Sequence, residues 1–105
     1  MLEVTQFIFH DEATSSAAGA TLYNGKGSSL TVVVSGSFEG EITPQGSLGG
    51  NWYDLMAVDL GSLDTVDKLT ASGSYAIAGV DGFEKIRMNL SLTSGTVTVH
   101  GRLCY

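Results

Sequence analysis

Residues 73–101 read GSYAIAGVDGFEKIRMNLSLTSGTVTVHG, three strand-like segments separated by glycine-bearing connections with almost no slack. Ile86, Met88, Leu90 and Leu92 alternate with Arg87, Asn89 and Ser91. After Thr93-Ser94-Gly95 the alternation resumes, Val97 and Val99 against Thr96, Thr98 and His100. A period of two places one face in a core and the other in water, the mark of a half-buried antiparallel strand. Gly95 can take the positive φ that a short hairpin connection often needs, so Thr93-Ser94-Gly95 reads as the turn between two paired strands.

Working outward, Leu30 to Val34 is a short apolar run fit for a central strand. The segments Gly36-Ser37-Phe38-Glu39-Gly40 and Gly46-Ser47-Leu48-Gly49-Gly50 read as chain reversals flanking Glu41 to Gln45. Pro44 cannot donate to a ladder, which predicts a sheet edge or a bulge for that segment. Trp52 to Leu60 reads as one strand, with Trp52, Tyr53 and Leu55 supplying buried area. Leu69 to Ser72 and Tyr75 to Ala78 read as shorter strands around Gly73, and Glu3 to Phe9 as a first strand whose apolar face is not cleanly set. Asp11 to Gly27, with its Asn24-Gly25 pair, is irregular, and Thr14 to Ala18 has no apolar stripe to support a helix. The reading is all-β: a single antiparallel β-sandwich of about eight strands, one domain over residues 1–105.

Composition supports this and excludes some functions. Fourteen glycines against one proline suit short strands and tight turns, and only 15% of residues are charged, against roughly 25% in typical soluble domains. The surface must then be finished mainly with hydroxyls, amides and backbone, which tolerates close packing against neighbours. Eleven acidic residues against five basic ones leave a net charge of -6, which repels phosphate backbones and argues against a nucleic-acid partner. Cys104 is the only cysteine, so it has no intrachain disulfide partner, and it reads as a half-buried residue of a terminal strand. No apolar run reaches the ~20 residues of a membrane-spanning helix, and Met1 to His10 lacks the basic start and long apolar stretch of a secretion signal. The expectation is a soluble protein with no signal peptide and no integral membrane segment.

The residues offer little chemistry. No serine sits in a Gly-x-Ser-x-Gly elbow, and the bases with near-neutral intrinsic pKa are His10 and His100. His100 falls on the polar parity of its strand, and His10 reads as a hydrogen-bonded loop residue beside Asp11 and Glu12. Two His and one Cys without motif spacing do not make a zinc site. Asp54, Asp59, Asp64, Asp67 and Asp81 match no calcium loop and read as turn-capping residues. No pair among the carboxylates is singled out for glycoside hydrolysis. No catalytic residue, metal or cofactor is therefore expected. Tyr23, Trp52, Tyr53 and Tyr75 are the material for a sugar-stacking platform, with Trp52 and Tyr53 the residues of a possible binding surface. Lys85 and Arg87 form a small cationic spot whose simplest role is pairing with an acidic neighbour across the sheet.

The pattern Tyr75…Gly82…Ile86-Arg87…Ser94-Gly95-x-Val97-x-Val99-x-Gly101 resembles a β module of tailed bacteriophages and prophages. Gly36-Ser37-Phe38-Glu39-Gly40, Gln45-Gly46-Ser47, Trp52-Tyr53-Asp54-Leu55 and Thr70-x-x-Gly73-x-Tyr75 extend the resemblance over roughly Ser29 to Arg102. It is similar to the small β-sandwich proteins of Bacillus prophage lysis cassettes, the family of YomS and the second domain of XepA. The resemblance implies a phage-encoded sandwich placed in the virion or among late lysis proteins, often self-associating, and it transfers no catalytic residue. Three roles follow as expectations. The first is a non-enzymatic protein that forms a homo-oligomer or binds another phage protein, in the virion or in the host cytoplasm during phage production. The second is an accessory host-lysis factor acting on wall or membrane, and the third is a carbohydrate-binding module.

Overall fold

The computed structural model describes residues 4–24 and 27–104. Glu3 of the expected first strand, Gly25 of the expected Asn24-Gly25 turn and the first residues of the Met1–His10 segment lie outside them. Eight strands form one antiparallel sheet: β1 (Val4–Ala13), β2 (Leu22–Tyr23), β3 (Ser29–Leu48), β4 (Asn51–Asp54), β5 (Ala57–Asp59), β6 (Thr65–Val66), β7 (Gly73–Ile77) and β8 (Lys85–Cys104). A short 3-10 turn, Val80–Gly82, lies between β7 and β8. The all-β expectation holds.

Two strands organise everything else. β3 and β8 are each 20 residues long and pair along their whole length. Laid straight, either would span roughly 66 Å at ~3.3 Å per residue. The molecule's longest dimension is 38 Å, so both must bend. Each therefore serves two layers. The first layer runs β1-β8-β3-β7-β5-β6, using Ser29–Ser35 of β3 and Val97–Cys104 of β8. The second runs β2-β8-β3-β4, using the other halves of the long strands. Leu30, Val32, Val34, Val97, Val99 and Leu103 from the first layer meet Ile42, Ile86, Met88 and Leu90 from the second in one core.

The bend corrects the reading of Thr93-Ser94-Gly95 as a hairpin turn. Leu92 pairs with Gly40 and Ser94 with Glu39, leaving Thr93 as the extra residue of a β-bulge inside continuous β8. Buried positions are even before it (Ile86, Met88, Leu90) and odd after it (Val97, Val99, Leu103). One inserted residue moves the core parity by one. Gly95 has φ 92°, and a Cβ there would stand 2.6 Å from the Cα of Phe38 and closer still to the Ser37 carbonyl oxygen. The backbones touch at the corner, where glycine is the residue that fits.

Other boundaries move for related reasons. Gly36 to Gly40 is not a reversal but the β3 side of the same corner, whereas Gly49-Gly50, at φ 65° and 87°, does reverse the chain between Leu48 and Asn51. Pro44 is buried in the interior of the second layer, paired opposite Met88, and not at an edge. Ile42 exchanges both backbone bonds with Leu69, so two residues on, Pro44 also aims its backbone away from β8, and its carbonyl accepts the Leu55 N–H at 2.8 Å. The missing proline N–H faces the interval between these contacts and costs the β3–β8 ladder nothing. Trp52 to Leu60 is broken into β4 and β5 at Leu55-Met56, and Leu69 forms a single bridge to Ile42 where a strand to Ser72 was expected.

Candidate functional site

The outer face of the first layer is built from three strands in register. Gln6, Arg102 and Thr31 form one row across β1, β8 and β3, and Ile8, His100 and Val33 form the next. Ser35 and the backbone of Gly101 complete the lining of a concavity of about 830 Å³. On a solvated antiparallel face, outward positions are ordinarily polar. Here Ile8 and Val33 are 48% and 46% exposed and bracket the His100 ring position. No carboxylate lines the concavity, and Arg102 has no ion-pair partner among the described residues. The face is apolar and cationic on a molecule of net charge -6.

The two histidines part company. His100 is exposed on this face, as its parity predicts. His10, expected in a loop, lies inside β1 and is buried, with Nε2 2.6 Å from the carbonyl oxygen of Met88. A register shift between Ile8 and His10 explains it: the bulge turns both Phe9 and His10 inward, where strict alternation would send one of them out. Neither ring has a hydroxyl or thiol hydrogen-bond partner among the described residues.

The outer face of the second layer carries the predicted aromatic and cationic residues. The Arg87 guanidinium lies 4.0 Å from the centre of the Trp52 ring, and its Nε donates to Gln45 Oε1 at 2.8 Å. The Gln45 amide in turn donates to Asp54 at 2.9 Å. Lys85 sits over Tyr23, 5.5 Å from the ring centre. The expected pairing of these cations with acidic neighbours is thus replaced by stacking on aromatic rings. Trp52 is half-buried under Arg87, and Tyr53 is exposed, so the area they bury is less than the sequence reading assigned them. Being adjacent in β4, Trp52 and Tyr53 face opposite sides of the strand. Tyr53 leans instead toward Phe83, with centroids 6.4 Å apart. Tyr75 is in the core, its hydroxyl donating to the Ala71 carbonyl at 2.8 Å. The four aromatic residues are not brought onto one platform.

Nor do the aspartates assemble. Asp54 is engaged with Gln45, and Asp59 Oδ1 accepts the Gly61 N–H within its own loop. Among the described residues no three His, Cys, Asp or Glu side chains are placed to hold one metal ion. No helix among them is long and apolar enough to cross a membrane. Cys104 is half-buried near the end of β8.

A bent antiparallel β sheet folded into two layers around a common core defines a β-sandwich. Residues 3–103 match the XepA family, and the chain belongs to that family. The crystal structure of the SPBc2 prophage-derived protein YomS superposes with a TM-score of 0.92 at 25% identity, covering 100% of this chain and 96% of YomS. The crystal structure of the PBSX exported protein XepA gives the same TM-score at 28% identity, covering 99% of this chain and 38% of XepA. No curated protein matches the chain by sequence. The relation to these prophage proteins makes this a phage-associated protein.

Proposed function

We propose that this phage-associated protein works by association and not by catalysis, assembling with copies of itself in the virion or among the late proteins of the infected cell. The observation that carries the reading is the outer face of β1-β8-β3, where Ile8 and Val33 occupy outward positions around a concavity that holds Arg102 and His100. Contiguous apolar surface rimmed by polar groups marks an interaction site. The low charged fraction, 15%, leaves few charges to desolvate when such faces pack closely.

Light scattering coupled to size-exclusion chromatography tests the association. The expected result is a mass that is a multiple of 11.0 kDa, with interfaces on the order of 1,200–2,000 Å² per pair. A strictly monomeric mass at several hundred micromolar overturns it. The non-catalytic half is tested separately: purified protein on cell walls releases no soluble sugar or peptide, and release that one carboxylate or histidine substitution abolishes overturns it.

A further inference from the structure

The register of the second layer brings two aromatic rings to opposite ends of one row on its outer face. Across β2, β8, β3 and β4 that row reads Tyr23, Lys85, Ser47 and Trp52. Three inter-strand spacings separate its ends, roughly 14 Å at ~4.8 Å each, the length of a short oligosaccharide. Tyr23 is 71% exposed, and Trp52 is half-buried under Arg87. The next row, Arg87, Gln45 and Asp54, is tied by the hydrogen bonds that run from the guanidinium through the amide to the carboxylate. These bonds fix three planar side chains. They still leave the terminal guanidinium nitrogens, one amide N–H of Gln45 and the second oxygen of Asp54 without a hydrogen-bond partner among the described residues. Thr43 and Asn89 form the row beyond, and neither side chain has such a partner among the described residues. The face is also balanced in charge, Lys85 and Arg87 against Asp54 and Glu41, on a chain whose net charge is -6.

We infer that this face binds a neutral oligosaccharide laid along the row from Tyr23 to Trp52, with one sugar ring on the Tyr23 ring, the far end against the Arg87–Trp52 stack, and hydroxyls on the polar rows between. Three features select that ligand. An exposed aromatic ring buries the apolar C–H face of a pyranose. Planar guanidinium, amide and carboxylate groups offer paired donors and acceptors to vicinal hydroxyls, and because they already hold one another in place, binding has less freedom to remove. The charge balance excludes the rest: a polyanion would meet Asp54 and Glu41, a polycation would meet Lys85 and Arg87, and an uncharged polyol meets neither penalty. The site does not depend on the association reading, because the concavity of that reading lies on the other layer.

Trp52 emission reports on the far end of the row. Titrating the unaltered chain with chitotetraose, cellotetraose and maltotetraose, all uncharged, is expected to shift that emission and slow acrylamide quenching with at least one of them. The disaccharide of the same series, too short to span the row, is expected to bind about tenfold more weakly. Tyr23→Ala, at an exposed position outside the core, and Gln45→Ala, which breaks the polar chain, are each expected to weaken tetrasaccharide binding about tenfold while keeping native circular dichroism. Val33→Ala, on the other layer, is expected to leave it unchanged. No response to any of the three glycans at about 10 mM overturns the proposal. Equal affinity for disaccharide and tetrasaccharide, or equal affinity of Tyr23→Ala and the unaltered chain, overturns the spanning site. Tighter, salt-sensitive binding of tetragalacturonate overturns the choice of a neutral ligand.

Discussion

The Nε2 of His10 lies 2.6 Å from the carbonyl oxygen of Met88, closing the side of the sandwich between β1 in the first layer and β8 in the second. The carbonyl belongs to a residue whose side chain is wholly buried, and a carbonyl can only accept, so the ring nitrogen donates. Gly19 packs against the same ring, where a Cβ would approach its Cε1 to 2.5 Å. The bulge in β1 thus turns a strand residue into a lateral tie between layers.

Removing this tie leaves a buried acceptor without a partner and a space beneath Gly19. His10→Ala is expected to cost about 3 kcal/mol, an unsatisfied carbonyl plus a partly collapsed cavity. Denaturant titration of both proteins checks it, and a loss under about 0.5 kcal/mol, the range of an ordinary surface change, would mean that water replaces the imidazole at no cost.

The corner glycine gives a sharper contrast. Gly95→Ala places a methyl against the backbone of Ser37 and Phe38 at φ 92° and is expected to destabilise by more than about 2 kcal/mol. Gly82→Ala meets nothing within 4 Å and needs no positive φ, so its expected effect is within about 0.5 kcal/mol. Thermal melts of the pair measure the difference, and equal melting points would place the bend elsewhere.

Why the strand pattern was legible and the corner was not follows from the same residues. Alternation at Ile86–Leu92 and at Val97–Val99 is local, and it correctly assigns Met88, Leu90, Val97 and Val99 to the core. A hairpin turn and a bulge both demand a glycine at positive φ within a polar gap, so Thr93-Ser94-Gly95 alone does not separate them. The deciding signal is spread over two strands: glycines at 36 and 40 stand opposite Val97 and Leu92, around Gly95. Pro44 misled for a related reason, because what a proline costs depends on which way its nitrogen faces, and Leu69, far along the chain, sets that.

The inward face itself can be checked by one large-to-small change. Met88 is fully buried, and Met88→Ala is expected to cost about 2–5 kcal/mol, against about 0.5 kcal/mol or less for the neighbouring exposed Ser91→Ala. Urea unfolding gives both values, and comparable losses at the two positions would reverse the assigned faces.

The concave outer face of β1-β8-β3 was less legible than the core. Outward Ile8 and Val33 are unremarkable singly, and only the register of β1, β8 and β3 gathers them with Arg102 and His100. Trp52 and Tyr53 were visible as aromatic residues, but adjacency in a strand sends them to opposite faces.

Trp52 is the chain's single tryptophan, so its emission reports on Arg87 alone among the stacked cations. Arg87→Ala uncovers the indole, and the expected outcome is a red-shifted emission, faster quenching by acrylamide and a stability loss of about 1 kcal/mol. Arg87→Lys is expected to restore little, because an ammonium neither stacks flat nor reproduces the Nε bond to Gln45. Full protection in the lysine variant would show that charge, and not the planar stack, covers the ring.

Alkaline pH should reach the core through Tyr75. Burial pushes its hydroxyl above the ordinary value of 10.0, the nearby Asp59 carboxylate pushes it further, and the hydrogen bond to the Ala71 carbonyl opposes them. The folded state therefore holds this proton more tightly than the unfolded chain. Below the unfolded value the stabilisation is fully present, and as pH rises from about 10 through the folded value the unfolded state binds fewer protons and stability falls. Tyr75→Phe removes the titration at the cost of the Ala71 bond, about 1 kcal/mol near neutral pH. The expected pair of curves is a melting temperature that drops above pH 10 in the unaltered protein and drops less in the phenylalanine variant, the two converging as pH rises. Parallel curves across that range would show that other groups carry the alkaline loss.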